Sequence, residues 1–197
     1  MTETRLTLAV LVLQLASRTA VAHAATVNGR VVLGGTVAGA VVYFEGDDEA
    51  PSPATAPHAV MDQRNLLFLP AVLPIVRGTV VQFRNSDDVP HNVFSPSRNA
   101  GAFDLGRYSR GEARTVTFTE PGEVLVLCNI HMEMEATILV LRDPYFSTID
   151  ENGAYRVRDV PAGRYRVRVW RRRWLPATRV VDVPDAETVT VDVQPTP

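Results

Sequence analysis

The feature that most constrains this 197-residue sequence is a series of short valine-rich runs separated by glycine, proline, asparagine and aspartate. Valine and other β-branched residues fit a pleated, half-buried sheet surface, and the separating residues favour turns. After the first 24 residues, no window keeps the 3.6-residue apolar period of an amphipathic helix. The predicted strands are residues 27–33, 40–45, 59–63, 73–76, 78–84, 114–120, 123–128, 136–141, 154–158, 164–170, 177–183 and 187–193. So many short strands predict an all-β protein built as a sandwich or barrel.

Two breaks divide the strand series. Residues 46–58 are polar and rich in proline and alanine, and residues 142–146 interrupt the series again. Charge changes at the second break, because residues 25–141 hold 8 arginines against 13 acidic residues, whereas residues 142–197 hold 10 against 8. We therefore expect two modules of different character. The formal net charge of −2 gives no reason to expect a nucleic-acid partner.

Residues 1–24 have the pattern of a secretory signal peptide. Arg5 precedes an apolar stretch over residues 6–16, and small residues at 20–24 place the cleavage site after Ala24. The apolar stretch is shorter than the ~20 residues that a membrane-spanning helix needs. The sequence therefore predicts an exported protein, periplasmic or secreted, with no integral membrane span after signal cleavage.

The sequence contains one cysteine, Cys128, within the segment CNIHMEM at residues 128–134. Exported proteins usually pair their cysteines in disulfides, and this cysteine has no partner in the chain. Cys128 is therefore expected to be a free thiol, an intermolecular disulfide, a nucleophile or a metal ligand. A reactive thiolate is the less favoured of these, because Glu133 and Glu135 oppose its charge unless a cation is present.

Metal-binding side chains surround Cys128. His131, Met132 and Met134 follow it in the loop between two predicted strands, and His91 follows another strand in the segment NSDDVPHNVFS. One thiolate, two imidazoles and a thioether suit copper, whereas a thioether adds little to a zinc site. A covalently attached c-type haem is excluded, because the second cysteine of its C-x-x-C-H motif is absent.

Both halves of this pattern resemble the cupredoxins, the blue-copper family that includes plastocyanin, pseudoazurin and amicyanin. PGEVLVLCNIHMEM at residues 121–134 is similar to the family's Pro-Gly turn, strand and C-x-x-H-x-x-M loop, and GTVVQFRNSDDVPHNV at residues 78–93 resembles its first-histidine loop. The resemblance covers residues 57–141 and implies a Greek-key β-sandwich with one mononuclear type 1 copper site. The ligands that it implies are His91, Cys128, His131 and Met134.

The resemblance to cupredoxins also bears on Met132 and Asn92, which lie next to the implied ligands His131 and His91. Met132 competes with Met134 as the axial ligand, but it directly follows His131, so its side chain should point away from the direction of that histidine. Asn92 matches the family residue that tethers the histidine loop to the cysteine loop.

The remaining strands resemble a different β-sandwich. STIDENGAYRVRDVPAGRYRVRVW at residues 147–170 is similar to the hairpin of carboxypeptidase-regulatory-like, transthyretin-like domains, and its apolar residues alternate with arginines. Residues 26–46 resemble the opening strands of the same family. We therefore expect a second small sandwich, discontinuous in sequence, in which residues 26–46 pack with 142–195. The arginines are expected to form a solvated strand face, and docking of an anionic partner is the alternative.

The resemblance implies an exported one-electron carrier that is not an enzyme. Three of the four histidines follow the predicted signal peptide, which is too few for the additional copper clusters of multicopper oxidases or copper nitrite reductases. Two alternatives stay open. One is a periplasmic copper-binding or delivery protein, and the other is a structural or interaction protein whose metal site is incidental.

A contact surface for a redox partner is also implied. In cupredoxins the histidine after the cysteine presents its ring edge at the surface, and His131 matches that position. The residues expected around it form an apolar patch of Val89, Pro90, Ile130 and Met132 inside an acidic rim of Asp87, Asp88, Glu133 and Glu135. Such a rim steers a basic partner, and a c-type cytochrome is the expected one.

Overall fold

The computed structural model describes residues 24–32, 38–48, 50, 55–97, 101–172 and 177–194, in which the chain forms β-strands and no helix. The strands are β1 (Ala24–Arg30), β2 (Val41–Gly46), β3 (His58–Arg64), β4 (Leu67–Leu69), β5 (Val72–Val76), β6 (Thr79–Asn85), β7 (His91–Ser95), β8 (Phe103–Tyr108), β9 (Ala113–Phe118), β10 (Gly122–Leu127), β11 (Glu135–Leu141), β12 (Phe146–Thr148), β13 (Ala154–Pro161), β14 (Gly163–Trp170), β15 (Ala177–Val183) and β16 (Thr188–Thr190). The all-β prediction is confirmed. Within the described residues, no helix is long and apolar enough to cross a membrane. The predicted signal peptide, apart from Ala24, lies outside these residues.

Strands β3 to β11 form one sandwich, called the central sandwich below. Its two sheets have the strand orders β4-β3-β6-β9 and β5-β11-β10-β7-β8. Successive side chains of a strand point to opposite faces, so Thr79, Val81 and Phe83 of β6 are buried while Val80 and Gln82 between them are half-buried. The core between the sheets includes Met61, Phe68, Phe83, Phe118, Val126 and Ile138.

The other strands form a second sandwich, called the flanking sandwich below. Its sheets have the orders β13-β1-β16 and β12-β2-β14-β15. Strand β1 pairs antiparallel with β13 and parallel with β16, and β2 pairs antiparallel with β12 and β14. Residues 24–46 therefore supply a strand to each sheet of a sandwich that otherwise comes from the C-terminal third of the chain.

Arginines on one face of β14 pair with acidic residues of the same sandwich. Arg168 Nε lies 2.7 Å from Glu45 Oε2, and Arg166 lies 3.6 Å from Asp47 Oδ1. These pairs offset part of the positive charge that the alternating arginines place on this face.

The two sandwiches pack against each other through a small apolar cluster. Its buried members are Val41, Tyr43, Leu139, Leu141 and Trp170. The first two belong to β2, the next two to β11 and the last to β14, so a sheet of the flanking sandwich covers the outer face of the five-stranded central sheet.

Candidate metal centre

Neighbouring strands of the five-stranded sheet bring the predicted ligands to one edge. His91 is the first residue of β7, and Cys128 directly follows β10. The two strands are antiparallel neighbours, with Leu127 opposite Phe94, so the start of β7 lies beside the end of β10. His131 lies in the loop that connects β10 to β11.

The donor atoms of His91, Cys128 and His131 all lie within 4.8 Å of one another. The two Nδ1 atoms face each other at 3.0 Å, and the rings meet edge to face with their centroids 4.8 Å apart. Cys128 is 3% exposed, and His91 is fully buried. Two imidazole nitrogens and a thiol that converge in a largely buried space form a donor set that fits copper.

The fourth predicted ligand, Met134, lies in the same core as Cys128 and is fully buried. Its N–H group donates to the His131 carbonyl at 3.0 Å, and the Cys128 N–H donates to the Met134 carbonyl at 3.3 Å. These two hydrogen bonds lie within the loop at residues 128–134 and fix the positions of Cys128, His131 and Met134 relative to one another. Met132, by contrast, is 89% exposed, so its thioether points to solvent.

Asp87 binds the far side of His91, a role that the sequence did not predict. Its Oδ2 atom lies 2.8 Å from His91 Nε2, and its carboxylate accepts the N–H groups of Asn65 and Leu66 at 2.5 and 3.0 Å. Although burial acts to raise it, the pKa of the Asp87 carboxyl is lowered, because the Leu66 N–H, the His91 ring and the Asn65 N–H stabilise the carboxylate. An ionised carboxylate only accepts, so Nε2 carries the proton and Nδ1 keeps its lone pair for a metal.

A second unpredicted residue, Asn85, fixes the loop before His91. Its side-chain amide donates to the carbonyls of Val89 and Tyr108 at 3.0 and 3.1 Å, and its Oδ1 atom accepts the Asp87 N–H at 2.9 Å. Asn85 is 2% exposed. The only sequence signal for this role is a polar residue at the end of an otherwise alternating strand.

Asn92 makes a different contact from the one that the resemblance implied. Its Nδ2 group donates to Asp104 Oδ1 in β8 at 2.7 Å, and its buried Oδ1 atom has no hydrogen-bond partner. The tether therefore joins β7 to β8, and no side-chain bond from Asn92 to the cysteine loop occurs in the described part of the chain.

Comparison with known sequences identifies the family of the central sandwich. A plastocyanin of Daucus carota is 30% identical over 89 residues, which represent 39% of this chain and 92% of that protein. The sequence profile described as copper binding proteins, plastocyanin/azurin family, matches residues 56–141. This chain belongs to the plastocyanin/azurin family of copper-binding proteins. Its cofactor is copper, and the cluster of His91, Cys128 and His131 fits a type 1 site.

Several solved structures resemble this plastocyanin/azurin family member. One is a purple cupredoxin from Nitrosopumilus maritimus, which is 24% identical with a TM-score of 0.39. The match covers 42% of this chain and 99% of the purple cupredoxin. A reduced amicyanin mutant is 24% identical with a TM-score of 0.40, over 50% of this chain and 99% of its own. A copper-containing nitrite reductase from Thermus scotoductus SA-01 is 27% identical with a TM-score of 0.41, over 51% of this chain and 25% of its own.

A second sequence profile, the carboxypeptidase regulatory-like domain, matches residues 115–196. The resemblance to both families is therefore confirmed. The first part of this match overlaps the copper-binding match, and the structure places residues 115–141 in the central sandwich, in β9, β10 and β11. The flanking sandwich instead takes β1 and β2 from the segment before the copper-binding region.

Three hydrophobic side chains that are close in sequence to the predicted ligands of this family member are exposed. Val89 and Ile130 are each 41% exposed, and they accompany the exposed Met132. Three of the four acidic residues expected around this patch have partners: Asp87 binds His91, Asp88 pairs with Arg110, and Glu135 pairs with Arg172. The acidic rim is therefore weaker than the sequence alone indicates.

Proposed function

We propose that this chain is an exported type 1 copper protein that carries one electron at a time, with His91, Cys128, His131 and Met134 as the copper ligands. The observation that carries the proposal is the convergence of the buried Cys128 thiol with two facing imidazole nitrogens, all within 4.8 Å. Membership of a copper-binding family supports the same reading.

The residues of the site would hold the metal with little rearrangement. His91 offers Nδ1 because Asp87 accepts the proton of Nε2, and the hydrogen bonds of the 128–134 loop fix Cys128 and Met134 relative to His131. The burial of Met134 favours it over the exposed Met132 as the axial ligand. Copper bound there would supply one-electron chemistry by changing between Cu(I) and Cu(II).

We propose no bond-making reaction for this protein. The sequence has four histidines, and one of them, His23, lies in the predicted signal peptide, so few remain to build a further copper cluster. The signal-peptide pattern of residues 1–24 supports export to the periplasm or the medium. We also propose two domains, residues 57–141 for copper and 26–46 with 142–195 for the flanking sandwich, on the support of the strand pairing.

Electrons would pass through the half-buried ring of His131. The exposed side chains of Val89, Ile130 and Met132 would form an apolar surface around it that permits close approach, and electron-transfer contacts are usually small. Exposed Glu133 supplies negative charge at the patch. The partner would be a basic redox protein such as a c-type cytochrome, attracted by a modest field.

A spectroelectrochemical titration of the copper-loaded protein tests the electron-carrier role. We expect one electron per copper and full recovery of the oxidised spectrum over repeated cycles, because the ligands stay in place in both states. The association rate with a basic c-type cytochrome should fall as salt screens the charges. Glu133→Gln should weaken that salt dependence, and Glu151→Gln, a change at an exposed turn of the flanking sandwich, should not.

Two outcomes would contradict the proposal. Transfer of Cu(I) to a chelator on reduction, with no recovery of the oxidised spectrum, would indicate copper delivery. An association rate that rose with salt would indicate an acidic partner and would favour the arginine face of the flanking sandwich as the docking surface.

A further inference from the structure

The loop at residues 128–134 lies between the ends of two strands, and its position depends on how firmly those ends are held. Strand β10 ends at Leu127 and β11 begins at Glu135, and these two residues form the last pair of the ladder before the loop. The next bond along the hairpin is the one from the Cys128 N–H to the Met134 carbonyl. A displacement of either strand end therefore moves the predicted copper ligands.

The flanking sandwich covers the outer face of β11. Leu139 and Leu141 pack against Tyr43 and Trp170, and both leucines are 4% exposed. The alternate residues of β11, which are Ala136, Ile138 and Val140, belong to the central core. Strand β11 is therefore buried on both faces. Closely packed interiors transmit small displacements, because few voids can absorb them.

Two polar contacts join the end of β14 to the strands that bracket the loop. Trp170 Nε1–H, at the end of β14, donates at 2.6 Å to Glu123 Oε1 near the start of β10, and Arg172, two residues after β14, forms an ion pair with Glu135 at the start of β11. Trp170 is 2% exposed, and the side chains of Arg172 and Glu135 are about two-thirds buried. A hydrogen bond to a charged acceptor is stronger than one between neutral groups.

We propose that the flanking sandwich positions the copper-ligand loop, because Arg172 holds β11 where it leaves the loop and Trp170 fixes β10 near the start of the strand that leads into it. The flanking sandwich then contributes to the geometry of the metal centre through these contacts. Arg172 also balances the charge of Glu135, which directly follows Met134. This inference rests on the proposed function only in taking residues 128–134 as the copper loop.

Amide hydrogen exchange of the copper-free protein tests this role, read at the N–H groups of Cys128 and Met134, which both bond within the loop. Arg172→Gln should raise exchange at both amides about two- to fivefold, as expected for the loss of one partly exposed ion pair. Adding Trp170→Phe should raise it about tenfold or more, because a bond to a carboxylate is also lost. Arg166→Gln is the matched control, since Arg166 lies in β14, which ends two residues before Arg172, and pairs with Asp47 inside the flanking sandwich.

A charge reversal separates positioning from general destabilisation. Arg172→Glu alone should raise exchange at both loop amides, and Glu135→Arg added to it should return exchange close to the wild-type rate. Unchanged exchange at Cys128 and Met134 in the Trp170→Phe, Arg172→Gln double variant would overturn the proposal. An equal rise in the Arg166→Gln control, or no recovery in the reversed pair, would overturn it as well.

Copper release gives an independent measurement of the same role. When the loaded protein is mixed with a chelator, Arg172→Gln should release copper faster than wild type by a factor similar to the change in exchange, and Arg166→Gln should not. A release rate equal to wild type would contradict the positioning role. A wild-type protein that bound no copper would refute the proposed function and leave the exchange result to decide this inference.

Discussion

At the scale of single residues, His91 has two ring nitrogens, and the structure gives each a different neighbour. Nε2 lies 2.8 Å from the Asp87 carboxylate, and Nδ1 lies 3.0 Å from Nδ1 of His131. A carboxylate behind a metal-binding histidine selects the tautomer and orients the ring. Asp87 is itself held by backbone N–H groups from the turn at Asn65 and Leu66, so the orientation of His91 depends on a third segment of the chain.

Asp87→Asn should lower copper affinity about 10- to 100-fold, because the neutral amide no longer enforces protonation at Nε2 of His91. A competition titration against a chelator measures the affinity, and imidazole nitrogen shifts of the copper-free protein report the tautomer. Asp88→Asn is the control, because Asp88 is 85% exposed and pairs with Arg110 at the surface. Equal losses of affinity in the two variants would show that Asp87 has no specific role.

The candidate ligands could be predicted from the sequence, whereas the residues that hold them in position, such as Asp87 behind His91, could not. Cys128, His131 and Met134 lie within seven residues, so their spacing is visible in the chain. Asp87 was expected on the acidic rim, because an acidic residue in a turn usually faces solvent. Its contacts with Asn65 and Leu66 span 22 and 21 residues of sequence, and only the packed fold brings these groups together.

At the scale of strands, valine-rich runs were good predictors and mixed runs were not. The strands that the pattern missed are β4, β7, β8 and β12. Two of these have three residues each, and β8 contains Gly106 with a positive φ of 67°. Strand β7 reads HNVFS and is buried at His91, Asn92 and Val93 in succession, so it lacks the alternation that marks a half-exposed strand.

Gly29→Ala should destabilise the flanking sandwich by ~1–3 kcal/mol, because an added methyl group has no space in β1. A Cβ atom there would collide with the Val191 carbonyl oxygen and lie 2.8 Å from Tyr155 Cε1, which would push β1 away from the segment after β16. Denaturant unfolding measures the change. Gly163→Ala is the control, because an added Cβ atom there would lie at an ordinary 3.5 Å from Tyr165 Cε2. A Gly29→Ala protein as stable as wild type would contradict this prediction, because it would show that β1 and the segment after β16 can move apart with no loss of folding free energy.

At the scale of the whole molecule, two sandwiches share a face, and one strand belongs to both cores. The sequence of β11 contains a sign of this arrangement, since ATILVL at residues 136–141 is apolar at nearly every position, as expected for a strand buried on both faces. What covers the outer face could not be predicted. The covering side chains come from β2 and β14, far before and after β11 in the chain.

The central claim is that copper binds to the Cys128 thiolate in the space between His91 and His131. A titration of the purified mature protein with Cu(II), followed by visible absorption, tests it most directly. We expect an intense thiolate-to-copper band that saturates at one copper per chain, and we expect Cys128→Ser to abolish it, because a hydroxyl is a poor donor to this ion. Met132→Ala should retain the band, since that side chain is 89% exposed. A Cys128→Ser protein with the same band as wild type would contradict the claim.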